Sequence, residues 1–154
     1  TNFNLTKTSS VSSDSTDKTA PKLLSLELSA THLDVTQGEK SVQVTMVVSD
    51  ESGIDYSPFW FVNKDFDGRR VYQDSINPEW ETTAVANQYQ TSFTYTFDTE
   101  THPGTWSADL LSLKDGTGNY NHTPGLDIDL PTLQIANNKD IDTTPPVIKS
   151  LVGW

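Results

Sequence analysis

The chain contains no cysteine. That excludes a disulfide framework, a thiolate zinc site and a thiol nucleophile, while leaving the compartment open. Basic residues are also scarce: 10 Lys and Arg stand against 21 Asp and Glu, a formal net charge of −11. Such a chain repels nucleic acid and anionic membranes and favours metal cations or neutral partners. No apolar run approaches the roughly 20 residues that cross a bilayer, and the polar start at Thr1 carries no signal peptide. Membrane insertion is therefore not expected, and an export signal is expected outside this chain. Apolar residues nowhere hold helical spacing over three turns.

Catalytic signatures are missing as well. His32, His102 and His122 lie at turns and strand ends without metal-ligand spacing, and there is no Gly-x-Ser-x-Gly elbow or phosphate-binding glycine loop. Two carboxylates such as Asp50 and Asp55 meet the minimal requirement of glycoside hydrolysis, but small β-domains rarely enclose the cleft that reaction needs. The chain is expected not to be an enzyme.

What is present is β patterning. Leu24, Leu26 and Leu28 alternate with polar residues, and Leu33 and Val35 resume after a break at Ser29-Ala30-Thr31, which predicts an edge strand in two pieces. Val42, Val44, Met46 and Val48 give a strand with one buried and one wet face. The run Phe59-Trp60-Phe61-Val62 and the alternation of Phe93, Tyr95 and Phe97 with threonines predict two more. Trp106, Ala108, Leu111 and Leu113 share a face only if a bulge falls near Asp109-Leu110. Leu126, Ile128, Leu130, Leu133 and Ile135 suggest a last strand interrupted by Pro131. About seven short strands without helix predict an all-β fold, an antiparallel immunoglobulin-like β-sandwich.

The segment Asp17-Lys18-Thr19-Ala20-Pro21 recurs near the end as Asp142-Thr143-Thr144-Pro145-Pro146, each followed by an aliphatic run containing Ser-Leu. Proline stiffens both copies into extended linkers, so the chain parses as a tail or linker over 1–16, one repeat over 17–141, and the start of another over 142–154. Strand direction places the loops Asp50-Glu51-Ser52-Gly53-Ile54-Asp55 and Asp115-Gly116-Thr117-Gly118-Asn119 at the same pole as Asp14 and Asp17. A hard cation such as Ca²⁺ takes six to eight oxygens of the kind these segments offer. Asp17, Asp50, Asp115 and Asn119 are the first candidates, with Glu51, Asp55 and Asp14 beside them. Asp140 and Asp142 would serve the next repeat. The plainer alternative is that Asp, Asn and Gly here are solvated turn residues.

The order of these motifs, from Asp-x-Thr-x-Pro through Val-x-Val-x-Met-x-Val-x-Asp, Ser-Gly-Ile, Gly-Thr-Trp and Asp-Gly-Thr-Gly-Asn to Asp-Thr-Thr-Pro-Pro, resembles the tandem bacterial immunoglobulin-like or cadherin-like repeats of secreted enzymes and surface adhesins. The resemblance implies a secreted or cell-surface location, a monomeric module, neighbouring repeats as partners and calcium at the linker. The stretch 63–89 departs from the simple repeat, being longer and richer in aromatic residues. Trp106 reads as core. Trp60 or its neighbours Phe59 and Phe61 must lie on an outer face, and Trp80 lies in a stretch without alternation. Trp60 and Trp80, with Asp65, Asp67, Arg69 and Arg70, are candidates for an extracellular polysaccharide surface. The alternatives are a spacer repeat and, for Trp80, a cap over a sheet edge.

Overall fold

The structure is a computed structural model that describes residues 17–66, 69–138 and 146–149. Asp14, Asp67, Asp140 and Asp142 lie outside the described residues. The chain forms β1 (Lys22–Leu28), β2 (His32–Asp34), β3 (Lys40–Ser49), β4 (Ile54–Tyr56), β5 (Phe59–Phe66), β6 (Arg69–Tyr72), β7 (Glu81–Thr82), β8 (Gln88–Phe97), β9 (Gly104–Leu110), β10 (Leu113–Asp115), β11 (Tyr120–Asn121) and β12 (Thr132–Ala136), with a 3₁₀ turn at Pro124–Leu126. Among the described residues these twelve segments exceed the seven strands expected because β2, β4, β7, β10 and β11 have only two or three residues each. Runs that short carry no readable alternation.

Two main sheets run in the orders β1-β3-β8-β7 and β2-β12-β9-β5-β6, and a small sheet β11-β10-β4 closes one end. Apart from the parallel β2–β12 pair, the named strands pair antiparallel. The inner faces of the main sheets share one core. Leu23, Leu26, Val42, Val44, Met46, Val48, Tyr95 and Phe97 come from the first, and Phe59, Phe61, Trp106, Ala108, Leu133 and Ile135 from the second. Each fully buried side chain of this kind contributes roughly 1.5–3 kcal/mol. The aromatic members interlock edge to face, with centroid separations of 5.2 Å for Phe59–Phe61, 4.9 Å for Phe61–Tyr95 and 5.2 Å for Phe61–Phe97. Trp106 joins at 5.9 Å from Phe97, and its indole N–H donates to the His102 carbonyl at 2.9 Å. The buried Tyr95 hydroxyl donates to the Asp74 carbonyl at 2.6 Å, and burial holds this phenol well above its ordinary value.

Three strand expectations change. The two pieces around Ser29-Ala30-Thr31 do not share an edge: β1 pairs with β3, whereas β2 crosses to the other sheet and runs parallel to β12. Ser29 completes the first ladder by donating its N–H to the Gln43 carbonyl at 3.0 Å and accepting the Gln43 N–H on its hydroxyl at 2.8 Å. The Thr31 carbonyl then accepts from Gln134 N–H at 2.8 Å. No bulge at Asp109-Leu110 is needed, since Trp106, Ala108 and Leu110 are all buried and Leu111 turns outward as β9 ends. The last strand begins only at Thr132, after Pro131, while Leu126 sits exposed in the 3₁₀ turn.

Candidate metal centre

The three acidic segments meet at one pole. Asp17 lies in coil shortly before β1, Asp50 directly follows β3, and Asp115 ends β10. One carboxylate oxygen from each lies within 4.8 Å of the others. All three residues are buried, at 5%, 6% and 0% exposure. The small sheet enforces this meeting, because Asp115 pairs with Ile54 and the Gly116 N–H donates to the Gly53 carbonyl at 3.1 Å. Gly116 permits the close approach: a Cβ there would stand 2.7 Å from the Ser52 carbonyl oxygen. Gly116→Ala is therefore expected to push the two loops apart, costing about 1–3 kcal/mol of stability. Urea denaturation of the variant checks this, and a midpoint equal to wild type would show that the loops yield freely.

Each carboxylate is oriented by the residue two positions on. Thr19, Ser52 and Thr117 donate their N–H groups to Asp17, Asp50 and Asp115 at 3.0, 2.8 and 2.9 Å. Their hydroxyls lie at 2.9, 3.1 and 3.0 Å from the same oxygens. These are Asx turns, and they hold one oxygen of each carboxylate against its own loop. Asp115 also accepts the Asn119 N–H at 2.8 Å and its side-chain amide at 2.7 Å. Ser52 Oγ lies 2.7 Å from Asp17 Oδ2, closer than its 3.1 Å to Asp50 Oδ2, so its single proton serves Asp17. Asp50 Oδ1 is buried with no hydrogen-bond partner.

That arrangement is costly without a positive charge. A buried acceptor left unsatisfied costs about 1–3 kcal/mol, more when it is ionised. Burial first, and then the charges of Asp115 and Asp17, push the Asp50 carboxyl above its ordinary value, against the opposing bonds from Ser52. Asp17 is held below its ordinary value, first by the Ser52 hydroxyl and then by the Thr19 N–H. A cation among the three would supply the partner that Asp50 Oδ1 lacks and offset the repulsion from Asp115 and Asp17. Calcium–oxygen distances of about 2.3–2.6 Å place opposed ligands up to about 5 Å apart, so a 4.8 Å set fits such an ion. The donor set is all oxygen, which suits a hard cation.

Of the other candidates, Asn119 is adjacent but acts as a donor: its amide also reaches the Asp17 carbonyl at 3.2 Å and Thr117 Oγ1 at 3.0 Å, so it positions the ligands. Glu51 is exposed beside Asp50. Asp55 points away, because alternation along β4 turns it to the face opposite Ile54, and it pairs with Lys114 Nζ at 3.0 Å. Sequence reasoning missed Ser52, Thr19 and Thr117. The signal was legible as Asp-x-Ser/Thr at each of the three ligand positions.

Trp60 is half-buried on the outer face of β5, opposite Asp109 on β9, while Phe59 and Phe61 point into the core. Trp80 is also half-buried, packs against the core and donates its indole N–H to Ser57 Oγ at 2.7 Å. Asp65 lies in β5, and Arg69 and Arg70 in β6. Asp109 also lines a groove of about 370 Å³ with Leu111, His122, Leu126 and Leu130.

No family model matches this chain, and no curated protein matches it. Among solved structures, the crystal structure of a β-glucosidase from Listeria innocua in complex with isofagomine is similar at 13% identity, with a TM-score of 0.37. The match covers 76% of this chain and 16% of the β-glucosidase chain. At that level the likeness carries no argument about fold or activity.

Proposed function

We propose that the chain is a non-catalytic, immunoglobulin-like module of a secreted or cell-surface protein, in which Ca²⁺ ties the incoming polypeptide to two loops of the sandwich. Asp50 Oδ1 carries this reading: a buried carboxylate oxygen without a donor, beside two further buried carboxylates. Its environment is unfavourable for a structural hydrogen-bond network and favourable for a cation ligand. Because Asp17 precedes the first strand, the cation would fix the orientation of whatever domain comes before it. Neighbouring repeats are the natural partners, and the role is that of a stiffened spacer. Titration of calcium into metal-stripped protein tests this: one ion per chain is expected, lost in Asp50→Asn. Absence of binding by the wild-type chain would refute it.

A second reading, polysaccharide binding as an accessory to a carbohydrate-active enzyme, is favoured by Trp60 rather than Trp80. Trp60 lies on an outer sheet face, and its cross-strand partner Asp109 lines the groove with His122 and Leu126. An apolar floor with a few polar groups suits a neutral sugar ring. On plant and algal polysaccharides in affinity electrophoresis, Trp60→Ala is expected to lose retardation at least tenfold, while Trp80→Ala keeps it. Equal retardation of Trp60→Ala and wild type would remove this site.

A further inference from the structure

The polypeptide leading into β1 is held at two places of different chemistry. The first is the acidic trio. Asp17 is its least anchored member, since Asp50 donates its N–H to the Asn87 carbonyl at 2.8 Å and Asp115 donates to the Asn119 carbonyl at 3.0 Å, both within paired loops. Asp17 sits in coil, joined by Ser52 Oγ to its carboxylate at 2.7 Å and by the Asn119 amide to its carbonyl at 3.2 Å. The second place is built on one carboxylate, that of Asp127. The Asn121 amide donates to the Pro21 carbonyl at 3.0 Å and to Asp127 Oδ2 at 3.0 Å, and Asp127 Oδ2 also accepts the Leu23 N–H at 3.0 Å. Pro21 and Leu23 are both buried, whereas Lys18, Thr19 and Ala20 between the two places are exposed.

We propose that these are two clasps in series: a cation-dependent one at Asp17, and a cation-independent one in which Asn121 and Asp127 hold Pro21 and Leu23. Calcium then sets where the incoming chain pivots. With the ion bound, the chain is fixed from Asp17 onward. Without it, mutual repulsion of three carboxylates is relieved most cheaply by releasing Asp17, and detachment stops at Pro21. Freeing Asp17, Lys18, Thr19 and Ala20 adds about 13–14 Å of reach, at roughly 3.3–3.6 Å per extended residue. The fold itself stays intact, so calcium acts on the reach and direction of the linker. The first clasp rests on the calcium reading above; the second does not.

Two amides report on the clasps separately, because the Thr19 N–H bonds to Asp17 and the Leu23 N–H to Asp127. Amide hydrogen exchange by NMR on the full chain, in excess Ca²⁺ and in chelator, reads both. In wild type, chelation should speed Thr19 exchange at least tenfold and change Leu23 less than twofold. In Asp127→Ala, Leu23 should exchange at least tenfold faster in chelator, with the Val44 amide unchanged as the control for global folding. Asn121→Ala provides a milder variant should Asp127→Ala unfold. If chelation frees Thr19 and Leu23 together, the two clasps are one and the proposal fails. If calcium changes neither amide, the cation clasp fails, while the variants in chelator still decide the second clasp: an unchanged Leu23 rate there would refute it.

Discussion

Saturating calcium is expected to raise the melting temperature of the metal-stripped protein by about 5–10 °C. Binding at a free concentration one hundred times the dissociation constant stabilises by about 2.7 kcal/mol, and a domain of this size gains roughly 2–4 °C per kcal/mol. Asp50→Asn sharpens the test, because it keeps an acceptor for the Ser52 N–H while removing the charge that burial and two neighbouring carboxylates oppose. In chelator the variant should melt above wild type, and calcium should no longer raise it. The pH dependence follows from the direction of the shifts. Asp50 is held above its ordinary value of 3.8, so in the metal-free protein its contribution is favourable below that value and is lost as pH rises through the folded-state value. The advantage of Asp50→Asn in chelator should therefore be largest near neutral pH and vanish below about pH 3.8. Asp17 behaves oppositely: its contribution is present above 3.8 and is lost as pH falls through its lowered folded-state value. Superimposable melts in chelator and in calcium would end the calcium reading.

Trp106→Ala is expected to be the most damaging single change in the core. Its side chain is fully buried between the sheets against Phe97, and large-to-small changes at such sites cost about 3–5 kcal/mol. The substitution also removes the hydrogen bond from the indole N–H to the His102 carbonyl. A fall of about 6–20 °C in melting temperature follows. Trp80→Ala should cost less than half as much, since Trp80 is only half-buried and Ser57 Oγ keeps Asn77 Oδ1 as a partner at 3.5 Å. Differential scanning calorimetry of the two variants checks the contrast, and equal losses would contradict this account of the core.

Much of this was readable from the residues. Val42 to Val48 and Phe93 to Phe97 fixed two central strands because each has one wet face, and their ten-residue pairing follows that alternation through every step. The carboxylates Asp17, Asp50 and Asp115 were legible as a meeting of loops, because strand direction alone puts them at one pole. Asp55 and Glu51 ranked behind them, but no local pattern removed them from the set. Telling ligand from bystander required the Asp115–Ile54 register, which turns Asp55 toward Lys114. Asn121 and Asp127 were invisible for a different reason: they act on Pro21 and Leu23 across about a hundred residues, and no local pattern announces such a bond. The crossing of β2 was hidden too, since a three-residue strand has no alternation to say which sheet it joins.

That crossing determines how the molecule answers a pull on its two ends. β2 and β12 run side by side in the same direction, with His32, Leu33 and Asp34 in register with Gln134, Ile135 and Ala136. Tension drawing the N-terminal side one way and the C-terminal side the other slides these strands along each other, loading their hydrogen bonds together rather than opening them one by one. The short segment that left the first sheet thus becomes a shear-loaded lock, which tension from the N-terminal side reaches only after β1 has been drawn from β3.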